Sequence, residues 1–505
     1  MKKTRASKKT AIVIRADASV RTGTGHVMRC LALTQALANA GKNVVLAMAE
    51  CPEALTRKIK SSGMSTQKIK SRPGSLKDAE ETAKFAARKN ATWVVVDGYI
   101  FSDKYQDALK KAGLRLLFID DFGHCPSYPS DIILNQNLYA GTHFYPETAP
   151  FTRILLGTQY VLLRNEFSPY SNWRRQVPEK ASKLLVTLGG SDPDNTTLKI
   201  IRGIKASKLG LEVKIVAGGA NPHLKSLEKE IKKSPNLQIL KNVSNMPELM
   251  AWADIVITSG GSTCWETCFM GLPNIIIYCA DNQKPIALSL DEAGAAINLG
   301  QNSELVEKKF ISTLKSLAND FEARSRMSEK GRLLVDGRGA DRIIYAMGGL
   351  FLRKASKDDC KFIWELSNSK PVRDVSFTRD PIPWDHHKGW FDRTLADKNC
   401  FFCIAETAGG KPAGQVRFRM NGPDAVISTS LALEFRGKGY GSILIFEASN
   451  ALFSSTGVKT VHAYIKNENK GSLKSFQKAG FRQTDLDRFA LEKESLHLIM
   501  EKPAE

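Results

Sequence analysis

Acidic residues are scarce beside basic ones: 52 Asp and Glu face 73 Lys and Arg, and 73 − 52 leaves +21 at pH 7. The imbalance favours anionic partners, among them nucleic acid, a membrane surface and nucleotide phosphates, without choosing between them. Cysteine is sparse and odd in number, nine scattered over 505 residues, which excludes a disulfide framework. Cys400 and Cys403 make a lone CxxC around Phe401 and Phe402 with no second pair, short of the four ligands of a structural zinc. The eight histidines show no ligand spacing, so no metal is expected. No stretch approaches the roughly 18 apolar residues of a membrane span. The basic stretch Met1–Lys9 leads into Ala11–Ile14, an apolar run that Arg15 and Asp17 end too early for a signal-peptide core. A basic leader feeding a first buried strand is expected, in a cytoplasmic protein. There is no internal repeat, no low-complexity tract, no recognised nucleic-acid module and no basic–aromatic interleaving, so nucleic acid is not an expected partner. With 42% hydrophobic and 25% charged residues the chain is an ordinary folding one, long enough for about three domains.

Short runs rich in Val, Ile and Leu recur, each followed by a longer mixed segment. The first series is Ile12–Ile14, Val44–Leu46, Trp93–Val96, Leu116–Ile119 and Ile132–Leu134. Such continuous runs suit parallel strands buried on both faces and joined by helices. A polar stretch around Ser168–Ser182, with Pro169 and Pro178, reads as a linker. A second series follows in Leu184–Leu188, Val213–Ala217, Ile255–Ile257 and Ile275–Tyr278. Two successive α/β domains with a cleft between them are predicted, at residues 1–170 and 171–347, and ligands in such sheets bind outside the carboxyl ends of the strands. From about Phe351 the texture changes. Phe401–Ala405, Gly414–Arg419 and Val426–Leu433 read as neighbouring antiparallel strands, followed by a glycine-rich turn and a helix from near Ser442. Residues 348–505 are expected to form a third, α+β domain.

Chemistry-bearing residues gather at these strand ends. Arg15 to Ser19, then Gly23-Thr24-Gly25-His26, lie between the first strand and its helix, where glycines admit a ligand to the backbone and the helix start favours negative charge. Alone, GxGH also suits a packing histidine; its place at a strand end beside Asp17 favours a site. Gly189-Gly190-Ser191-Asp192 and Ser259-Gly260-Gly261-Ser262-Thr263, with Glu266 beyond, follow two strands of the second domain. They are either ordinary turns or a diphosphate cradle with a ribose-gripping carboxylate. Residues 11–345 resemble the UDP-2,4-diacetamido-2,4,6-trideoxy-β-L-altropyranose hydrolase family. The matching pieces are Arg15–Ser19 with Gly23–Cys30, Asp97-Gly98-Tyr99, Asp120-Asp121, Asn135-Gln136-Asn137, Leu162–Phe167, Leu188–Asn195, Ser259–Glu266 and Asn282-Gln283. The resemblance implies two Rossmann-like domains in a GT-B arrangement, similar to the glycosyltransferase that makes lipid II, with the nucleotide on the second domain and water replacing the acceptor. It makes His26 the base that activates water, and an imidazole titrates near neutrality. It makes Asp17 a candidate for orienting sugar or histidine, and sets Arg15, Gly25, Tyr99 and Asn282 around the sugar. Glu266 would hold ribose, and Gly190, Ser191, Gly261 and Ser262 the diphosphate.

In the third domain Arg436-Gly437-Lys438-Gly439-Tyr440-Gly441 fits R-x-x-G-x-G at a strand–helix junction, where bare amides can seat a pyrophosphate. Asn469, Ser472 and Phe476–Phe481 follow about 30 residues on. Together they resemble the GCN5-related N-acetyltransferase (GNAT) family over residues 351–503, which implies acetyl-CoA as donor, held by Arg436–Gly441 with Leu431, Leu433, Asn469 and Ser472. His387 and Trp390, in an H-x-x-W-F arrangement, resemble the subgroup that acetylates nucleotide-linked 4-amino-4,6-dideoxy sugars, although core packing explains the tryptophan as well. Many members protonate the leaving thiolate with a tyrosine where this chain has Phe476. Either water or another group such as Tyr464 then takes that role or the role is dispensable, and Glu434 is the candidate base for the amine. Together the two resemblances imply a bifunctional enzyme of pseudaminic acid biosynthesis. The GNAT domain would acetylate N4 of UDP-4-amino-4,6-dideoxy-N-acetyl-β-L-altrosamine, and the GT-B-like part would hydrolyse the product to UDP and 2,4-diacetamido-2,4,6-trideoxy-L-altrose. The free sugar would pass to a pseudaminic acid synthase. A related legionaminic-type or spore-coat sugar nucleotide, or a true glycosyltransferase, are the alternatives.

Overall fold

The computed structural model describes residues 11–19, 23–189, 192–218, 221–241, 243, 245–348, 350–407, 410–437, 439–484 and 495–502. The basic leader, Gly190, Ser191 and Lys438 lie outside these described residues. The chain forms two compact units, Met1–Ile343 and Ile344–Glu505, and the boundary falls within the helix Gly339–Gly348.

The first unit holds two parallel sheets. One consists of β1 (Ala11–Ala16), β2 (Asn43–Met48), β3 (Ser65–Lys68), β4 (Ala91–Asp97), β5 (Arg115–Ile119), β6 (Ile132–Asn135) and β7 (Arg153–Leu156), in spatial order β3-β2-β1-β4-β5-β6-β7. The other consists of β8 (Lys183–Thr187), β9 (Glu212–Ala217), β10 (Leu237–Lys241), β11 (Ile255–Thr258), β12 (Asn274–Tyr278) and β13 (Ala296–Gln301), in order β10-β9-β8-β11-β12-β13. The central strands are apolar throughout because both faces are covered. Val13, Val94, Val96, Leu116 and Phe118 pack with Phe85, Tyr105 and Leu109 of the helices Leu76–Arg88 and Asp103–Lys111. Ile12, Ile14, Val95 and Leu117, pointing the other way, are equally buried. Truncating one of these, as in Phe118→Ala, would cost about 3–5 kcal/mol through lost transfer energy and the cavity left behind. Each sheet grows outward in both directions from its first strand. That places a crevice at the carboxyl ends of β1 and β4 in one sheet, and of β8 and β11 in the other.

Four strands do not stand out as apolar runs: β3, β7, β10 and β13. All four are sheet edges, paired on one side only, and carry half-buried or exposed positions.

The second unit is built on β14 (Leu350–Lys354), β15 (Cys400–Thr407), β16 (Pro412–Asn421), β17 (Asp424–Leu431), β18 (Thr460–Lys466), β19 (Arg482–Gln483) and β20 (Ser495–Glu501), in order β14-β15-β16-β17-β18-β20-β19. All pairings are antiparallel except β17 with β18. Those two run parallel and pair only at Asp424–Thr460, Ala425–Val461 and Val426–His462 before they diverge. The helices Tyr440–Ser455 and Lys470–Ala479 cover one face through Leu444, Ala448, Leu452 and Phe476. The helices Cys360–Asn368 and Trp384–Ala396 bring Ile363 and Phe391 to Phe402 and Ile404. Two boundaries differ from the sequence expectation. The third strand ends at Leu431, because the chain tightens into a 3-10 turn over Leu433–Phe435, and the following helix begins at Tyr440.

Candidate active sites

In the first unit the carboxyl ends of four adjacent strands deliver polar residues to one place. Asp17 follows β1, Asp97 closes β4, Asp120 and Asp121 follow β5, and Asn135 closes β6. His26, in the first turn of the helix Gly25–Asn39, meets them from above β1. Its Nδ1 lies 2.8 Å from Asp97 Oδ1. One helical turn on, Arg29 joins the cluster: Nε and Nη2 donate to the two Asp97 oxygens at 2.7 Å each, and Nη1 donates to Asp121 Oδ1 at 2.8 Å. Asp121 also accepts from the Tyr99 hydroxyl at 2.7 Å and from Asn137 Nδ2 at 2.8 Å. Burial opposes the charge on Asp97, yet the Arg29 guanidinium and the His26 ring outweigh it and hold that carboxyl well below the usual range. The same balance, led by Arg29, keeps Asp121 ionised. Burial and the Asp121 charge push the Tyr99 phenol far up, so it remains a donor. The Tyr99 ring stands edge-on to His26, 4.7 Å between centroids. Asp97 thus engages Nδ1 of the imidazole, the arrangement by which a carboxylate orients a histidine ring.

From the second sheet, Asn282, in the 3-10 turn Asp281–Gln283 after β12, comes near enough to Tyr99 to act on its phenol. This brings the two sheets' strand ends to one cleft within the unit. Gly260 packs so tightly that a Cβ there would lie 2.6 Å from the Gln283 carbonyl oxygen, whereas nothing but Ser259 Oγ, 3.9 Å away, approaches that position at Gly261. Ser262 caps the helix Thr263–Phe269, and Glu266 in its first turn accepts from Arg164 Nη2 at 2.8 Å. Asp192, at φ 42°, accepts from the amides of Thr196 and Thr197 and so starts the next helix.

Several expected roles change. Asp17 does not orient His26. It accepts from the amides of Ala49 and Glu50 at 2.7 and 2.8 Å and pairs with Arg15 at 2.8 Å, because it lies over β2 instead of β4. Arg15 is fully buried, bound bidentately to Asp78, and offers nothing to a sugar. Gly25, by contrast, is exposed at the helix start. Asp97, Arg29 and Asp121 carry no individual role in the sequence reading; the signal for the two aspartates is their place at or just past the end of an apolar strand, and for Arg29 its spacing one helical turn beyond His26.

In the second unit the divergence of β17 and β18 opens a cavity of about 1120 Å³. Its wall includes Ile427–Leu431 of β17, Tyr464–Lys466 of β18, residues 371–373, 375–378 and 380–383, and Arg436, Gly437, Gly439, Gly441, Asn469, Ser472 and Phe476. Gly437 and Gly439 have φ of 70° and 82°, the left-handed region that glycine adopts without strain. Gly439, Gly441 and Ser442, at the start of the helix Tyr440–Ser455, line the opening. Arg436 braces this turn, donating to the Leu431 carbonyl at 2.8 Å. Asn469 caps its helix by accepting from the Ser472 amide at 3.1 Å.

Here too the sequence assignments need correction. His387 is buried, bonded to the Cys360 carbonyl at 3.0 Å and stacked on Phe391, and burial pushes its pKa down. Trp390 stacks under Arg417. Neither lines the cavity, because their helix turns that face to the sheet. The 3-10 turn carries Glu434 and Leu433 outward as well: Glu434 pairs with Lys411 at 2.8 Å and Leu433 is 71% exposed. Tyr440 packs against Tyr345 and Phe435 below the loop. Among the described residues no group of three or more His, Cys, Asp or Glu side chains could hold a metal ion, all nine cysteines are free, and no helix is long and apolar enough to cross a membrane.

Two Rossmann-like halves sharing a strand-end cleft, followed by a splayed-sheet domain, define a GT-B-like unit joined to a GNAT acetyltransferase domain. Comparison with known proteins agrees. Residues 184–339 match the Glycosyltransferase family 28 C-terminal domain, and residues 349–482 the Acetyltransferase (GNAT) domain. The chain is similar to an uncharacterized protein of Methanocaldococcus jannaschii, 25% identical over 94% of this chain and 98% of that protein. It is similar to the spore coat polysaccharide biosynthesis protein SpsG of Bacillus subtilis, 26% identical over 47% of this chain and 69% of the relative. It is also similar to the UDP-2,4-diacetamido-2,4,6-trideoxy-beta-L-altropyranose hydrolase of Campylobacter jejuni, 28% identical over 40% of this chain and 71% of the relative.

Proposed function

We propose that the protein acetylates a UDP-linked amino sugar with acetyl-CoA and then hydrolyses the acetylated product to UDP and free sugar, as in pseudaminic acid biosynthesis. The observation that carries the hydrolytic step is the His26–Asp97 pair, 2.8 Å apart at the mouth of a cleft whose other wall carries the candidate nucleotide turns. In this reading Nε2 of His26 takes a proton from water as the water oxygen bonds to the anomeric carbon. The bond from that carbon to the diphosphate oxygen breaks, and its electron pair leaves with UDP. Asp97 fixes the ring and stabilises the imidazolium. Tyr99 and Asn282 hold the sugar, Glu266 the ribose, and the turns at Gly189 and Ser259–Ser262 the diphosphate.

In the second unit the amine nitrogen attacks the thioester carbonyl, the carbon–sulfur bond breaks, and the thiolate leaves with its electron pair. Of the two protons lost by the ammonium, one goes to solvent water and the other to the thiolate. Phe476, 4% exposed and packed on Phe481, has no proton to give, whereas Tyr464 lines the cavity just beyond the last β17–β18 pairing. Incubating the protein with UDP-4-amino-4,6-dideoxy-N-acetyl-β-L-altrosamine, with and without acetyl-CoA, tests both steps. UDP and 2,4-diacetamido-2,4,6-trideoxy-L-altrose forming only with acetyl-CoA is expected; no turnover of this substrate or its acetylated form overturns the sugar assignment. The likeness to SpsG favours one second reading, the same two steps on a spore-coat sugar nucleotide.

A further inference from the structure

Among the described residues the cavity of the second unit is lined by five cations, Arg373, Arg436, Lys466, Lys474 and Lys478, against a single carboxylate, Asp380. Three of the five are committed to backbone carbonyls. Arg373 holds those of Thr378 and Asp380 at 3.2 and 3.1 Å, Arg436 that of Leu431 at 2.8 Å, and Lys466 that of Ser376 at 2.6 Å. Lys474 and Lys478 remain. They stand one turn apart on the helix Lys470–Ala479, in a row that Lys470 extends, and this helix has no carboxylate. Like charges four residues apart repel, and a lysine in the first turn opposes the helix dipole. The carboxylates of neighbouring loops are engaged elsewhere, Glu468 with Arg379 at 3.0 Å and Glu434 with Lys411 at 2.8 Å.

We propose that Lys474 and Lys478 form the subsite for the 3′-phosphate of coenzyme A, and so select a 3′-phosphorylated donor over one that ends at the pyrophosphate. The placement suits the ligand's chemistry. Ser475, between the two lysines, has its Oγ 3.2 Å from where a Cβ on Gly441 would stand, so the row borders the glycine turn that seats the pyrophosphate. The 3′-phosphate lies one ribose away from that group. The diphosphate uses uncharged amides, and the lysine pair meets the remaining charge.

The inference rests on the coenzyme A reading of the cavity, and the test separates the two. Calorimetric titration of the full chain compares coenzyme A with 3′-dephospho-coenzyme A, in the natural protein and in Lys474→Gln/Lys478→Gln. Glutamine keeps helix propensity, and a thermal melt checks the fold. The natural protein should bind coenzyme A about tenfold tighter than the dephospho form, the order expected of a charge-assisted phosphate contact. The double variant should lose that preference while its affinity for the dephospho form stays unchanged. Equal binding of the two ligands by the natural protein, or a preference that survives in the variant, overturns the lysine subsite and leaves the coenzyme A reading standing. Binding of neither ligand overturns both. If the double variant melts early, the single Lys478→Gln variant, with an intermediate preference expected, replaces it; an unchanged preference there overturns the subsite.

Discussion

At the scale of single residues, the Asp97 carboxylate is what would orient His26 for the proposed hydrolysis. It accepts from His26 and Arg29 together, and Asp121, which also accepts from Tyr99 and Asn137, holds the same guanidinium from its other end. Asp97→Asn keeps the shape but removes the charge that steadies the imidazolium. UDP release should fall by about a hundredfold or more in kcat, while UDP affinity measured by titration stays the same. His26→Ala should abolish UDP release and also leave nucleotide binding intact. A separate residue pair predicts a pH effect on stability. Burial alone would push His124 down, but Asp120, 3.3 Å away, lifts it from 6.5 to about 10. Against the same burial, His124 and the Tyr128 hydroxyl lower Asp120 from 3.8 to about 2. The raised histidine contributes in full below pH 6.5 and fades as pH climbs towards 10; the lowered carboxyl contributes in full above 3.8 and fades towards 2. Thermal melts should therefore show His124→Gln most destabilised between pH 3.8 and 6.5, with the gap narrowing by pH 10.

At the scale of elements, loops at strand ends fit against each other through positions where no side chain is tolerated. Gly260→Ala would drive a methyl group into the Gln283 carbonyl and shift the turn that carries Asn282 towards Tyr99. Hydrolysis of the UDP-sugar should weaken through KM, with coenzyme A binding unaltered. In the other unit the parallel pair β17–β18 separates after Val426, and in the proposed acetyl transfer the reacting groups would meet in that gap. Phe476→Tyr places a second phenol beside Tyr464 in the cavity wall. An unchanged acetylation rate is expected if Tyr464 already supplies the proton, and a faster one would show that thiolate protonation had been limiting.

At the scale of the whole molecule, the two proposed activities reside in units with separate cores. Damage to one site should leave the other working. His26→Ala supplied with the amino sugar nucleotide and acetyl-CoA should accumulate the acetylated, unhydrolysed UDP-sugar, detectable by mass spectrometry. Failure to accumulate it would mean that acetylation does not precede hydrolysis.

The positions of the central strands along the chain, the change of texture near Phe351 and the glycine turns at Gly25, Gly261 and Gly439 are all legible in the chain itself. Buried parallel strands need unbroken apolar runs, and backbone that must approach a ligand needs glycine. Edge strands β3, β7, β10 and β13 escape that logic, since half their surface faces water. The sequence likewise places polar residues after each strand but carries no record of which ends meet. Only the spatial order, with β1 beside both β2 and β4, sends Asp17 to the amides after β2 and leaves Asp97 to His26, 71 residues away. The same holds for His387, Trp390 and Glu434, whose residue types suit a site but whose helix face and 3-10 turn aim them into the core or out to solvent. Residue type and local pattern are properties of the chain. Which charges neutralise one another is settled by packing, because a buried charge is stable only beside the partner that the fold delivers.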